Sequence, residues 1–436
     1  MTTAAAATGA SDGQASATSA TRWVQLGLGV IAMMAISSPQ YVWTLFTKPL
    51  MADLGTTLPD LQITFSILIV LQTWLSPAQG ALVERFGPRL LVAVGCALSG
   101  ASWVLTAYAP SLAAVYFTYG VLGGIGTGIV YIGIIGQMVK WFPDRRGFAT
   151  GMAAAGYGFG AIFLNFPIAS TLASAGLHHT LLVFGLAQGV VGVAAALFLK
   201  AAPRAGAAAT AAAPVSAMRA RRDFTPREML KTPVFWLMFA MMTMMSTGGL
   251  MVISQFATFS RSFGIDEKVL VLGFAALPLA LTIDRITNGL TRPVFGWISD
   301  RIGREKTMAI AFIGEGIAIA GLVAVRDDPL LYVLMSGMVF FGWGEIFSLF
   351  PSTLTDTFGE THATKNYGFL YMAQGVGSVL GGPIAALIFA STGSWMPVFG
   401  AIIVMDVVTG LLALVALAPM RKALIERSGG GAQAPA

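Results

Sequence analysis

The sequence is poor in cysteine, histidine and charge, and each shortage excludes a class of protein. One residue of 436 is a cysteine, Cys96, which excludes an intramolecular disulfide framework and a cysteine-based metal cluster. The three histidines, His178, His179 and His362, lack metal-ligand spacing, so we expect no metal site. Charged residues make up 11% of the chain, whereas soluble proteins carry about 25%, so an ordinary soluble enzyme is excluded.

Apolar residues take the place of the missing charge. Hydrophobic residues make up 56% of the chain, and the apolar runs are long enough to cross a bilayer, which takes about 20 residues for each helix. We predict about twelve transmembrane helices, numbered helix 1 to helix 12 in chain order. They are expected over 22–47, 60–83, 90–108, 112–138, 147–174, 180–200, 233–262, 268–297, 306–325, 329–354, 365–391 and 395–419.

The helices fall into two sets of six. The predicted organisation is a disordered cytoplasmic tail over 1–21, an N-terminal six-helix bundle over 22–200, a mobile cytoplasmic linker over 201–232, a C-terminal six-helix bundle over 233–419 and a cytoplasmic tail over 420–436. The predicted fold class is therefore an all-α membrane protein.

Lysine and arginine predict the orientation. If both termini are cytoplasmic, only Lys48, Arg261, Lys268 and Arg326 lie outside, and Arg285 and Arg292 lie within helix 8. All the other basic residues then lie on the cytoplasmic side. We expect a multi-pass protein of a bacterial-type inner membrane, and no nucleic-acid partner for its net charge of +6.

The two halves repeat each other at an offset of 216 residues. Pro77, Gly80, Glu84 and Gly87 recur as Pro293, Gly296, Asp300 and Gly303, in each case at the end of the second helix of a half. Two halves of the same orientation are parallel repeats, an arrangement in which substrate binds at mid-membrane between the halves.

The repeated segment, Gly-x-x-x-Asp/Glu-Arg-x-Gly-x-Arg/Lys, resembles the signature loop of the major facilitator superfamily. The resemblance implies that the two copies form a latch that is released during alternating access. The gating residues are expected to be Gly80, Glu84, Arg85, Arg89, Gly296, Asp300, Arg301 and Arg304. In the alternative interpretation, the basic residues are only the loop charges that fix topology.

Within that superfamily the chain resembles the oxalate/formate antiporter family. The resemblance rests on 40–45 in helix 1, 140–147 after helix 4, 288–293 in helix 8, 343–345 in helix 10 and 367–371 in helix 11. It implies exchange of small carboxylates across the bacterial inner membrane. The oxalate-transporting members hold the dianion with an arginine of helix 8 and a lysine of helix 11, inside an aromatic cage.

Carried over to this chain, the arginine falls on Arg285 and the lysine on Gln374, which is not a cation. Phe347 stands where a tyrosine of the cage is expected. The substrate-binding residues are expected to be Arg285, Gln374, Gln40, Tyr41, Tyr131, Tyr157, Trp343 and Phe347, with Trp43 as a further candidate for the cage. For each aromatic residue, ordinary helix packing is the alternative.

The expected depth of Arg285 in the membrane also points to a functional role. It lies 16 residues from the start of an apolar run at Val269 and 12 from Trp297, so we expect it near mid-membrane, where a charge is retained to bind something. The alternative is an ion pair with Asp284 or Glu345. Arg292, five residues from the cytoplasmic end of that run, is expected to be structural.

Four acids lie inside predicted helices. Asp284 and Glu345 are the candidates for proton coupling, although a packing or hydrogen-bonding role is favoured for Asp284, since neighbours on a helix point about 100° apart. Glu315 and Asp406 are expected to pack against polar partners.

The sequence contains no nucleotide-binding loop and no nucleophile constellation, so we expect neither enzyme activity nor a cofactor. The predicted function is gradient-driven transport of small organic anions by a monomer, with a monocarboxylate favoured because Gln374 removes one cation. A true oxalate:formate exchanger is one alternative. A transporter-like membrane sensor of a carboxylate is another.

Overall fold

Helices make up nearly all of the protein. The computed structural model describes residues 4–203, 219–220, 222–266 and 268–429. Leucine, alanine and methionine favour helix, and inside a bilayer a helix satisfies its own backbone hydrogen bonds. Two short strands, Leu270–Val271 and Phe274–Ala275, form a hairpin before helix 8.

The N-terminal half contains helices 1 to 6. They comprise, in chain order, Ala4–Ala35, Ser38–Tyr41 and Trp43–Leu54 for helix 1, Leu58–Trp74 and Ser76–Phe86 for helix 2, Pro88–Thr106 for helix 3, Leu112–Val115, Tyr116–Leu122 and Gly123–Trp141 for helix 4, and Arg146–Leu197 for helices 5 and 6 together. Gly176, with φ 80°, breaks this last helix into two.

The C-terminal half contains helices 7 to 12. They comprise Pro233–Ser262 for helix 7, Ala276–Ile302 for helix 8, Arg304–Ala324 for helix 9, Pro329–Trp343 and Ile346–Phe358 for helix 10, Ala363–Val379, Leu380–Ile384 and Ala385–Thr392 for helix 11, and Met396–Leu412, Ala413–Leu417 and Ala418–Gly429 for helix 12.

Length and hydropathy qualify eight helices of the described residues as membrane spans, and nine when Asp60–Trp74 and Ser76–Phe86, which meet at 53°, count as one. The helix Arg146–Leu197 is long enough for two crossings and bends at Gly176. Helix 8 does not qualify because it contains five ionisable residues, Asp284, Arg285, Arg292, Asp300 and Arg301, and helix 11 does not because it is interrupted. Counting Arg146–Leu197 as two spans and adding helices 8 and 11 brings the nine spans to the predicted twelve.

Three segments differ from the sequence prediction. The first helix begins at Ala4, inside the tail that was expected to be disordered, because alanine has the highest helix propensity. Helix 8 begins at Ala276 rather than 268, since the hairpin precedes it. The chain from Ala418 to Gly429 is helical where a tail was expected from 420.

The second part of the expected linker is docked rather than mobile. The amides of Ala220 and Phe224 donate to the carbonyls of Asp356 and Phe358, each at 2.8 Å, and Asp223 accepts from the amide of Glu360 at 2.7 Å. Residues 204–218 and 221, which also belong to that predicted linker, lie outside the described residues.

Helix breaks lie where the candidate site residues are. In helix 1 the pair Ser38-Pro39 begins the short segment Ser38–Tyr41, because proline cannot continue the preceding helix. In helix 10 the break falls at Gly344 and Glu345. Such breaks interrupt the regular pattern of helical hydrogen bonds.

Candidate functional site

Two carboxylates reach across the interface between the halves on the side of the protein where the repeated segments lie. Asp300, at the end of helix 8, accepts from the amides of Gly147 and Phe148 in the first turn of helix 5, at 3.0 and 2.8 Å. Glu84, at the end of helix 2, accepts from the amide of Lys365 in the first turn of helix 11, at 3.1 Å. Each acid therefore caps a helix of the opposite half, where the helix dipole favours negative charge.

The glycines of the repeated segment permit this approach. A Cβ atom on Gly80 would meet the backbone of Thr364 and Lys365, and one on Gly296 would meet the backbone of Gly147. These contacts are related by the internal repeat. Any larger residue at either glycine would push the two halves apart.

Asp356, which was not predicted as a site residue, is the centre of the contacts on this side of the protein. Its carboxylate, 1% exposed, accepts from Arg146 of helix 5 and, at 2.9 Å, from Arg304 of helix 9, and it lies 3.8 Å from Arg219. Arg146 also donates to Glu360. The repeat contains a signal that points to Asp356, because it stands 216 residues after Lys140 and so places opposite charges at equivalent positions.

Of the predicted gating arginines, only Arg304 joins this network among the described residues. It also donates to Asp300 at 2.7 Å. Arg85, Arg89 and Arg301 are exposed, and Arg301 stacks over the Trp297 ring of its own helix at 3.4 Å. In this structure their side chains are exposed, so a gating role for these three stays a prediction.

The contact between the halves ends near mid-membrane. Along the face of helix 8 that meets helix 5, Gly296, Arg292 and Gly289 are buried, whereas Arg285 and Thr282 are exposed. Gly289 packs on the ring of Phe159. The halves thus meet on the side of the latch and separate beyond Gly289, toward the opposite side of the membrane.

An aromatic cluster lies where the halves begin to diverge. Tyr131 of helix 4 stacks on Tyr371 of helix 11 with ring centroids 4.8 Å apart, which joins the two halves. Tyr157 contacts Tyr131, and Phe347 does so from the other half, at 5.4 and 6.3 Å. The structure therefore brings together the predicted residues of both halves in one cage.

The remaining members of the cluster extend it in both directions. Tyr41 meets Tyr157 at 5.4 Å, and Trp343 meets Phe347 at 5.6 Å. Trp43 lies elsewhere, because its indole donates to Gln62 at 3.0 Å within the N-terminal half. Tyr371 lies in segment 367–371, which resembles the antiporter family, but it was not predicted as a site residue.

Two glutamines hold the ring of Tyr157 in place. The Tyr157 hydroxyl donates to Oε1 of Gln40 at 2.6 Å, and it accepts from Nε2 of Gln72 at 3.1 Å. Gln40 was predicted as a site residue and Gln72 was not. The Tyr157 hydroxyl therefore both donates and accepts a hydrogen bond. These bonds hold the ring in one orientation, and the hydroxyl proton is not available to a ligand.

The cation of the cluster is Arg292, which the sequence analysis interpreted as structural. Its side chain is 1% exposed, lies 4.7 Å over the Phe347 ring and donates to the carbonyl of Ala154 at 2.6 Å and to Asn288 at 3.1 Å. It acts electrostatically on Tyr131 and Tyr157. The Arg292 side chain does not reach the end of the helix bundle, because helix 5 packs over it.

Arg285 lies outside this cluster. The sequence estimate of its depth counted from Val269, but helix 8 begins at Ala276, so Arg285 is nearer the open end than expected. Asp284, 1% exposed, turns the other way and accepts from Ser336 of helix 10 at 2.9 Å. The expectation that the two neighbours point apart is confirmed.

Several buried polar atoms at the cluster have no hydrogen-bond partner among the described residues. They are the hydroxyls of Tyr131 and Tyr367, Oε1 of Gln374, Nδ2 of Asn288 and Nε of Arg292. Most of them are donors. A cluster of unpaired buried donors beside a guanidinium is suited to an anion with more than one acceptor oxygen.

Of the buried acids of the C-terminal half, Glu315 and Asp406 lie apart from these donors, whereas Glu345 is near enough to Arg292 to interact with it electrostatically. Glu315 of helix 9 packs against Gly342, and Asp406 of helix 12 packs beside Gly248 and Gly316. Their carboxylate oxygens and those of Glu345, at the break in helix 10, have no hydrogen-bond partner in the described part of the chain. The polar partners expected for Glu315 and Asp406 are therefore not seen.

Comparisons with known proteins agree with this architecture. A family model of the Major Facilitator Superfamily matches residues 26–284 and 279–435. The chain is 34% identical over 389 residues to the oxalate:formate antiporter of Oxalobacter formigenes, with 89% of each chain covered, which confirms the resemblance to that antiporter family.

A more distant relative is monocarboxylate transporter 11 of Homo sapiens, 25% identical over 378 residues, which cover 80% of this chain and 75% of that protein. The solved structure of the proton:xylose symporter XylE bound to 6-bromo-6-deoxy-D-glucose matches with a TM-score of 0.73 at 13% identity, and the match covers 92% of this chain and 96% of that one. This last likeness shows the fold.

Proposed function

The chain belongs to the major facilitator superfamily, and on that premise we propose that it carries small carboxylates, preferably monocarboxylates, by alternating access. It is a multi-pass membrane transporter rather than an enzyme. In the proposal, the carboxylate binds at the aromatic cluster between the halves, with Arg292 as its charge partner. Sequence analysis assigned that role to Arg285, and the placement of Arg292 supports the change.

The buried charge of Arg292 is the observation that carries the proposal. In the part of the chain that the structure describes, no carboxylate lies within ion-pair distance of this guanidinium, which is 1% exposed. Removing the partner of a buried charge costs several kcal/mol, about 3 to 5 in measured pairs. A bound carboxylate would recover much of that free energy.

The size and polarity of the cluster support a small planar anion. The Tyr131 and Tyr371 rings stack across the interface, and the Phe347 ring lies against Arg292, so the walls are apolar faces. The unpaired hydroxyls of Tyr131 and Tyr367 supply donors at its edge. Formate, acetate, lactate and pyruvate all fit this description, with one carboxylate for the guanidinium.

The preference for a monocarboxylate rests on Gln374. It is 6% exposed, its Oε1 has no partner among the described residues, and it stands where oxalate-transporting relatives have a lysine. Two opposite charges 4 Å apart attract by about 4 kcal/mol at an effective dielectric of 20, so a dianion would forgo roughly one such interaction. A hydroxyl or keto oxygen beside the carboxylate can instead meet the amide of Gln374.

Orientation is part of the proposal. With the termini in the cytoplasm, the latch at Glu84 and Asp300 lies on the cytoplasmic side and the cavity opens outward. Exchange of one carboxylate for another needs only that both loaded forms rock between states, which suits a protein whose site has one unpaired cation. The chain's 34% identity to an oxalate:formate antiporter supports exchange over uniport.

Counterflow in proteoliposomes tests the proposal. Labelled formate, acetate, lactate, pyruvate, oxalate and malonate are offered to wild type and to Arg292→Gln, with Arg427→Gln as the control because Arg427 is exposed near the C-terminal end of the described chain. We expect monocarboxylate counterflow in wild type and in the control. Arg292→Gln should lose counterflow but still purify as a monodisperse protein. Wild-type rates in Arg292→Gln would refute the assignment of the site.

A further inference from the structure

The segment that joins the two halves is bound to the protein at both of its ends. At its start, the amide of Lys200 donates to Gln25 at 2.7 Å and the amide of Ala202 donates to Gln137 at 3.1 Å. These acceptors belong to helices 1 and 4, so the start is fixed to the N-terminal half. The far end, after residues 204–218, is bound to the C-terminal half.

The far end covers the last turn of helix 10. The amides of Ala220 and Phe224 donate to the carbonyls of Asp356 and Phe358, each at 2.8 Å. A helix leaves its last carbonyls without partners, so these two bonds complete the end of helix 10. The Phe224 side chain is buried, and its ring lies against the Phe358 ring with centroids 5.5 Å apart. This end of the segment therefore belongs structurally to the C-terminal half.

Asp223 fixes the same end to the start of helix 11. Its carboxylate accepts from the amides of Glu360 and Thr361, at 2.7 and 3.2 Å, and from the Thr361 hydroxyl. Gly359, with φ 88°, permits this approach, because a Cβ atom there would overlap the Asp223 carboxylate. All of these partners lie in the C-terminal half, so the docking does not depend on the contact between the halves.

Two side chains of the docked end also reach the N-terminal half. Arg219 donates to the carbonyl of Pro143, in the loop between helices 4 and 5. Asp223 is near enough to Lys140, in the last turn of helix 4, to interact with it electrostatically. The docked end is therefore fixed to one half and holds the other by two contacts.

We propose that the docked end, residues 219–220 and 222–232, is a strap that helps to hold the halves closed on the side of the latch. The strap stays on helices 10 and 11 throughout the cycle, and its two contacts with the N-terminal half break whenever this side opens. The inference goes beyond the proposed function, because it does not depend on which solute is carried.

Arg219 is the main contact of the strap. Three arginines from three segments converge on Asp356, namely Arg146 of the N-terminal half, Arg304 of the C-terminal half and Arg219 of the strap. The bond from Arg304 lies within one half and can persist in every state. Arg146 and Arg219 both connect the halves, Arg219 through the carbonyl of Pro143, so the strap acts in parallel with Arg146.

Thiol labelling of the purified protein in detergent tests the strap without any substrate. Thr364 is fully buried in the first turn of helix 11, against helix 4, so Thr364→Cys should react with a maleimide only when the side of the latch opens. The native Cys96 is 1% exposed in helix 3 and reacts only if the fold loosens. The two rates therefore separate opening from loss of folding.

Four variants are compared in the Thr364→Cys background. Arg219→Gln should raise the labelling rate about tenfold, because a hydrogen bond from a charged donor is lost across the interface. Arg219→Lys should restore most of the wild-type rate, since an ammonium can donate to the same carbonyl. Asp223→Asn should raise the rate about twofold to threefold, because it keeps an acceptor oxygen but loses the attraction for Lys140. Arg227→Gln is the matched control, since Arg227 is exposed in the same docked end, and it should match wild type.

A wild-type labelling rate in Arg219→Gln would overturn the strap. An equal rise in Arg227→Gln would also overturn it, because any loss of positive charge would then have the same effect. A rise at Thr364→Cys that is accompanied by an equal rise at Cys96 would count against it as well, since that pattern indicates loosened folding. The proposed function fails separately, because an absence of carboxylate counterflow leaves the labelling rates unchanged.

Discussion

Replacing Asp356 by asparagine should open the side of the carrier that we propose is cytoplasmic. Asp356 accepts from Arg146 across the interface and from Arg304 within its own half. The contact with Arg304 joins groups of one half, so it can persist in every state of the cycle. Only the contact with Arg146 belongs to the state in which the halves are closed on the cytoplasmic side.

The structure sets the size of the effect. Removing one partner of a buried ion pair costs about 3 to 5 kcal/mol. Arg146 keeps its second acceptor, Glu360, so the loss falls to about 2 kcal/mol, because a charge that retains one carboxylate is still partly compensated. At 1.4 kcal/mol per factor of ten, the equilibrium should shift about thirtyfold toward the form open to the cytoplasm.

Thiol labelling measures this shift, because the native Cys96 is 1% exposed. Thr364 is fully buried where helix 11 meets Gly136 of helix 4, so Thr364→Cys should react with a membrane-impermeant maleimide only when the cytoplasmic side opens. In inside-out vesicles, Asp356→Asn should raise the labelling rate about tenfold to thirtyfold.

Two comparisons keep this prediction refutable. Glu426→Gln removes an exposed acid near the C-terminal end and should leave the rate unchanged, and Glu360→Gln should raise it by less than Asp356→Asn does. If Asp356→Asn purifies as a monodisperse protein and labels at the wild-type rate, the contact with Arg146 does not hold the closed state. The reasoning from buried charge would then fail.

Three further outcomes are expected. Gln374→Lys should let oxalate compete with formate about tenfold better in uptake, whereas a wild type that already takes oxalate equally well would contradict the charge argument. Asp300→Asn should slow exchange about tenfold with less than about twofold change in equilibrium affinity, because its bonds to Gly147 and Phe148 lie far from the cluster. Tyr157→Phe should raise KM about fivefold, since the bonds from Gln72 and to Gln40 are lost, and an unchanged KM would mean that they do not order the site.

The fold was largely predictable because the lengths of the apolar runs and the internal repeat can both be found in the sequence itself. The offset of 216 predicted that Gly80 and Gly296 are equivalent, and both lie against backbone of the opposite half. The start of helix 8 was missed because the hairpin residues Leu270 and Phe274 are as apolar as a helix, and hydropathy does not distinguish the two.

The site was predictable in part. Aromatic residues carried over from a family motif, such as Tyr131 and Phe347, meet in one cluster. The choice between Arg285 and Arg292 depends on which turn of the helix lies opposite the other half, and that contact is tertiary. Asp356 was missed for the same reason, since its partner Arg146 is 210 residues away.

The reciprocal caps formed by Glu84 and Asp300 affect how firmly the two halves stay closed on this side. Each half supplies one carboxylate to the first turn of a helix in the other, and the internal repeat places the two bonds on opposite sides of the interface. A tilt that breaks only one of these bonds leaves the other in place. Opening on this side therefore requires both bonds to break, so we expect fewer partly open states, and less leak of protons or ions, than a single bond would allow.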